Sequence, residues 1–344
     1  MLEHGGMLRQ AAARYGRPPE AWLDLSTGLN PRGWPVPRIP AWCWSRLPED
    51  DDGLERVARM HYGVDHILPV AGSQAAIQAL PHLRPPSLVA VLDPGYAEHV
   101  RAWRHAGHVV RACTADRLDE AVARSDVVVL IHPNNPTGAR FPLEQLVAWH
   151  ARLAARNGWL VVDEAFMDAT PAHSLCGQGA RPGLIVLRSL GKFFGLAGAR
   201  VGFVVAHPAL LGPLRELLGP WHLSAPARWI AAAALADRAW QETTRQRLRN
   251  DGMRLRRLLD RHRLGPTGGC DLFQWICTAN APAVHEALAQ RGILIRLFAD
   301  CPGLRFGLPG RESEWRRLAR ALTTLDLAPG VRPTWGARRS GHRA

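Results

Sequence analysis

This 344-residue sequence predicts an α/β fold: a mainly parallel sheet flanked by helices, followed by a smaller α+β region. Three observations carry that prediction. Short β-branched runs alternate with amphipathic stretches through the middle of the chain, and the pattern changes after Pro220. The chemically conspicuous polar residues also fall where predicted strands end.

In chain order, residues 1–40 are rich in Gly and Pro and read as an arm packing with the smaller domain. Residues 41–222 form the predicted larger domain. Its buried strands are SLVAVLD (87–93), HVVRAC (108–113), DVVVLIHP (126–133), GWLVVDEAF (158–166), LIVLRSL (184–190) and RVGFVVA (200–206). Stretches such as LEQLVAWHARLAARN (143–157) supply the helices between them. Residues 223–328 form the predicted smaller domain. It comprises a long helical region (226–263), a strand (272–278), a helix (283–290), strands at 293–298 and 304–308, and a last helix (313–325). Residues 329–344 lack apolar periodicity and read as a disordered basic tail.

Composition narrows the function classes. Hydrophobic residues at 47% and charged residues at 21% fit a water-soluble globular protein. No run of eighteen apolar residues occurs and MLEHGGMLRQ has no signal-peptide core, so a cytoplasmic protein without a membrane span is expected. Six cysteines (Cys43, Cys113, Cys176, Cys270, Cys277, Cys301) lack any CxxC pair, which argues against a metal site or a disulfide framework. A net charge of +13 would suit a nucleic-acid binder, but the arginines are spread along helices. The densest run, RLRNDGMRLRRLLDRHR (247–263), has its own leucine face, so no nucleic-acid partner is expected.

Lys192 is the only lysine; the remaining 42 of the 43 basic Lys and Arg residues are arginine. An amine can be desolvated, deprotonated and condensed with an aldehyde, which a guanidinium cannot. Ser189 precedes Lys192 by three residues and Arg200 follows it by eight, the pattern expected around a lysine that binds pyridoxal phosphate (PLP). That cofactor needs four further groups. Asp163, closing the strand in VVDEAF, suits the pyridine nitrogen, although an Asp there also caps helices. Gly72, Ser73 and Gln74 open an apolar helix and, with Ser189 and Arg200, make a three-sided phosphate cradle. Asn135 in HPNNPTG suits the ring's phenolic oxygen, and Tyr96 in DPGYAEH suits stacking on the ring.

GSQ, DPGY, NNPTG, DEAF and SLGKFFGLAGAR, in this order and spacing, resemble the fold-type I PLP-dependent transferases of the aspartate aminotransferase superfamily over residues 20–325. The resemblance implies a seven-stranded-type sheet, a homodimer, and a substrate-carboxylate role for Arg305 in GLRFGL. Two branches are most similar, histidinol-phosphate aminotransferase and L-threonine-O-3-phosphate decarboxylase of cobalamin biosynthesis; both take a small phosphorylated substrate. Three features resemble the second: the HGG opening (His4, Gly5, Gly6) with LDLSTGLNPRG, Phe166 in DEAF, and ILIRLFADCPGLR. They imply substrate-phosphate roles for His4, Gly5, Asn30 and Arg296, and hence a PLP-dependent carboxy-lyase. Two departures stand out. The segment from Arg296 to Arg305 is short for that branch, and Leu47 (SRLPEDD) occupies the place of the family's cofactor-phosphate tyrosine.

Overall fold

The structure is a computed structural model that describes residues 4–298 and 301–325. The expected tail, 329–344, lies outside the described residues. The strands are β1 (Leu23–Asp24), β2 (Leu68–Val70), β3 (Leu88–Leu92), β4 (Val109–Cys113), β5 (Val127–Ile131), β6 (Trp159–Asp163), β7 (Leu184–Ser189), β8 (Gly202–Ala206), β9 (Gly268–Cys270), β10 (Phe273–Cys277), β11 (Ile293–Leu294), β12 (Arg296–Phe298) and β13 (Gly303–Gly307).

The chain divides into two compact units. The larger holds residues 29–253 and 269–272. Its seven-stranded sheet runs β2-β8-β7-β6-β5-β3-β4, with β3 to β7 mutually parallel and β8 antiparallel to both β7 and β2. The central strands are apolar on both faces, every residue of β5 being at most 2% exposed, whereas β4, expected to be buried, is the edge strand with Val109 61% exposed. β2 escaped the sequence reading because a three-residue run containing Pro69 is too short to show a period.

The smaller unit holds residues 4–28, 254–268 and the described residues from 273 onward. β10, β13 and β12 form antiparallel neighbours, and β1 pairs in parallel with β11. Of the expected arm, residues 4–28 are thus built into this unit, with Gly307 N donating to Leu25 O at 2.7 Å, whereas residues 29–40 belong to the larger unit. The strand expected over 293–298 is interrupted at Ile295, giving β11 and β12.

The division falls after Met253, not at the expected 222/223. Ion pairs hold the intervening helices in the larger unit. Arg228, 2% exposed, forks onto Asp52 at 2.6 and 2.8 Å and reaches Asp50 at 3.2 Å, and Arg32 pairs with Asp251 at 2.6 Å. The helical region is two helices, Ala225–Ala236 and Arg238–Arg261. Between them Asp237 accepts from Trp240 N at 3.0 Å through one carboxylate oxygen and from Trp34 Nε1 at 3.0 Å through the other.

Candidate active site

The carboxyl ends of neighbouring parallel strands collect the larger unit's reactive groups. β7 closes on Ser189, three residues before Lys192, and β6 closes on Asp163. Asn135 follows β5, and Tyr96 follows β3 to open the helix Ala97–His105. In an open α/β sheet that edge is where a crevice forms.

Lys192 is half-buried, with Nζ 5.4 Å from the centroid of the Phe166 ring. Its carbonyl accepts from Asn30 N at 3.0 Å and Gly195 N at 3.2 Å, which fixes the turn that carries the amine. Asp163, 4% exposed, accepts from Ala165 N at 3.0 Å through Oδ1, and its Oδ2 lies 3.1 Å from His99 Nε2. A carboxylate only accepts, so the imidazole donates from Nε2. His99 is wholly buried. The sequence reading missed this partner, although His99 sits three residues after Tyr96 on one helix face.

Tyr96 donates to Gln74 Oε1 at 3.1 Å, and Gln74 Nε2 reaches Glu98 Oε2 at 3.4 Å. Burial, then the carboxylates Asp163 and Glu98, push the Tyr96 hydroxyl up to about 12, so it stays protonated. Asn135 is half-buried. Its neighbour Asn134 donates to Pro94 O and Thr137 Oγ1, both at 2.8 Å, tying the turn after β5 to the loop after β3.

On the other side, Val70 and Ser189 both register on Gly202, which brings the start of the helix Ser73–Ala79 beside the end of β7. Gly72 has a φ of 73°, and a Cβ there would fall 2.5 Å from Arg200 Nη2. Only a glycine lets the guanidinium lie over this turn. Arg200 itself has a φ of 56°, a left-handed conformation costing a non-glycine residue on the order of 1 kcal/mol. Its Nη1 donates to Ala197 O at 3.2 Å, and Ser189 Oγ accepts from Gly191 N at 3.3 Å. An amine, a buried carboxylate with a fixed donor, and a guanidinium over a glycine turn are the donor set PLP requires, and the residues fit that group.

In the smaller unit, Arg296 and Arg305 are direct partners across β12 and β13, so both project from one face. Arg305, 5% exposed, donates from Nη2 to Ser26 O at 2.6 Å, with its guanidinium carbon 5.4 Å from the Phe273 ring centroid. That of Arg296 lies 5.1 Å from the Phe298 ring centroid. Ser26 also anchors the opening segment, because Gly6 N donates to its Oγ at 2.8 Å. A Cβ on Gly5 would collide with Ser26 O, so His4 enters beside a position that admits no side chain.

Two expected positions have surroundings the sequence did not suggest. Asn30 lies in the larger unit, 4% exposed. Its Oδ1 accepts from Arg32 N at 3.0 Å and Arg247 Nη2 at 3.1 Å, and its Nδ2 donates to Phe193 O at 2.8 Å. One amide hydrogen remains for a ligand. Leu47 is 63% exposed and packs into no core.

The family Aminotransferase class I and II matches residues 54–322. A threonine-phosphate decarboxylase of Pseudomonas aeruginosa is 53% identical over 322 residues, covering 94% of this chain and 97% of that protein. A histidinol-phosphate aminotransferase of Streptomyces avermitilis is 30% identical over 260 residues, 71% of this chain and 70% of that protein. The structure of L-threonine-O-3-phosphate decarboxylase from Porphyromonas gingivalis superposes with a TM-score of 0.74 at 20% identity, covering 88% of this chain and 98% of that one. The chain belongs to the aminotransferase class I and II family, a family of PLP enzymes.

Proposed function

From that membership we propose that this chain decarboxylates L-threonine O-3-phosphate to CO2 and (R)-1-amino-2-propanol O-2-phosphate, the aminopropanol unit of the cobalamin linker, using PLP. One observation carries the choice between branches. Identity to a threonine-phosphate decarboxylase is 53% over 94% of the chain, against 30% over 71% for a histidinol-phosphate aminotransferase.

When bound, PLP accepts the electron pair of whichever bond at the substrate's α-carbon is broken. The chain's own residues select the bond. Lys192 would be the point of covalent attachment, and Asp163, oriented by His99, would hold the proton on the ring nitrogen. Asn135 would hold the phenolic oxygen, Tyr96 would cover the ring, and Gly72, Ser73, Gln74, Ser189 and Arg200 would take the cofactor phosphate. His4, Gly5, Asn30 and Arg296 would hold the substrate phosphate and so orient the substrate, while Arg305 would pair with its carboxylate. Two guanidiniums on one sheet face repel each other, and anionic substrate groups relieve that repulsion. Loss of CO2 removes one of those charges. Lys192 Nζ would then donate a proton to the α-carbon and, by displacing the substrate nitrogen from the cofactor, release the amine product.

The reading includes a cytoplasmic homodimer. In its support, Trp42, Trp44, Leu47 and Trp221 of the larger unit are 48%, 69%, 63% and 59% exposed, apolar surface that a second copy would cover. No helix among the described residues is long and apolar enough to cross a membrane. Mass analysis of products from L-threonine O-3-phosphate, beside histidinol phosphate plus 2-oxoglutarate, tests the activity. The reading requires CO2 and aminopropanol phosphate from the first; glutamate from the second without CO2 from the first refutes it.

A further inference from the structure

Directly behind the Asp163 and Ser189 positions lies a buried charge cluster that the roles above do not use. Side chains alternate along a strand, so Arg188 of β7 points to the opposite face from Ser189, and Glu164, just after β6, meets it there. Arg188, 1% exposed, donates from Nη1 to Glu164 Oε2 at 2.6 Å and from Nη2 to Asp168 Oδ1. Glu164 is fully buried and also accepts from Ser174 Oγ at 2.5 Å and Leu175 N at 2.7 Å. The guanidinium carbon of Arg188 lies 4.7 Å from the Tyr62 ring centroid. One fork therefore ties the end of β6, the end of β7 and the turn that carries Phe166 into a single rigid unit.

Taking three charges out of water is costly, and an apolar trio of similar volume would hold a core equally well. What the ion cluster adds is direction: a planar, two-pronged donor fixes both carboxylates in one plane. Each bonded residue is within two positions of one that faces Lys192 or the cofactor: Glu164 beside Asp163, Asp168 after Phe166, and Arg188 before Ser189. We infer that Arg188 is a positioning residue for the PLP site, acting through Glu164 and Asp168 to hold Asp163, Phe166 and the Lys192 turn in mutual register. This rests on the PLP reading above. A cavity of about 450 Å3 borders Arg188, Asp168 and Tyr62, so water can reach the cluster when the fork is shortened.

The test uses Arg188→Lys, which keeps the charge and loses the fork, measured as apoprotein with added PLP and as holoenzyme. Expected are a PLP dissociation constant roughly 10-fold or more above wild type and a comparable fall in kcat with KM within twofold, as for other groups that orient a ligand-holding residue. If the lysine variant does not fold, Glu164→Gln and Asp168→Asn carry the same expectation. Leu248→Ala, a fully buried position in the helix Arg238–Arg261, serves as a control with a lowered melting temperature. PLP affinity and kcat within twofold of wild type in the cluster variants overturn the inference, as does an equal loss of PLP affinity in Leu248→Ala. Failure of wild-type protein to bind PLP overturns the PLP reading itself, a distinguishable result.

Discussion

The two units of this molecule hold their functional groups by different means. In the larger, Asp163, Ser189, Lys192 and Asn135 stand where strands end, so the local chain path places each one. In the smaller, Arg296 and Arg305 meet only because β12 pairs antiparallel with β13, and Arg305 is steered by Ser26 O, 279 residues away in sequence. The contrast separates the two tasks. Substitutions at the larger unit's strand ends should move cofactor binding and chemistry, and those at Arg305 in the smaller should move substrate affinity without moving cofactor affinity.

The strongest way to break that separation is Lys192→Ala. Removing the attachment amine and the proton donor should lower kcat roughly a thousandfold or more and abolish the visible absorbance of protein-attached PLP. Retained turnover would remove the larger unit from the chemistry. Next comes Arg305→Gln, which deletes a buried charge partner and should raise KM for L-threonine O-3-phosphate by roughly 30-fold or more. PLP affinity must stay within twofold; a parallel loss of cofactor would show that the two halves are not separable.

His99→Ala sharpens the comparison inside the larger unit. Losing the hydrogen bond to the charged Asp163 should reduce kcat roughly 10-fold with KM unchanged, visible in steady-state kinetics. The smallest effect is expected from Tyr96→Phe. The Tyr96 pKa is raised in the fold from 10.0 to about 12, so its contribution to stability is complete below pH 10 and is lost as pH rises toward 12. Unfolding titrations should show wild type losing at most about 1 kcal/mol per pH unit across that window relative to the phenylalanine variant. Identical slopes would contradict the buried, hydrogen-bonded hydroxyl.

These differences also explain what the sequence could reveal. β3, β5, β6 and β7 were legible because a strand buried on both faces reads as an unbroken apolar run, and the residues at their ends followed directly. β2 was not legible in three residues, and the helix break at Asp237 depends on Trp34, 203 residues away. The charge cluster escaped for the same reason: Arg188 meets Glu164 and Asp168 across 24 and 20 residues, a pairing set by strand register. Asn30 shows the limit within a motif. Its residue type suggested a ligand group, but not that Arg32 and Arg247 hold its oxygen and leave only the amide nitrogen to donate.

Product analysis tests the central claim most directly. Purified, PLP-loaded protein incubated with L-threonine O-3-phosphate should release CO2 and aminopropanol phosphate in equal amounts, with no keto acid required. Turnover only when a keto acid is supplied, with the carboxylate retained in the product, would contradict the account and make this chain an aminotransferase.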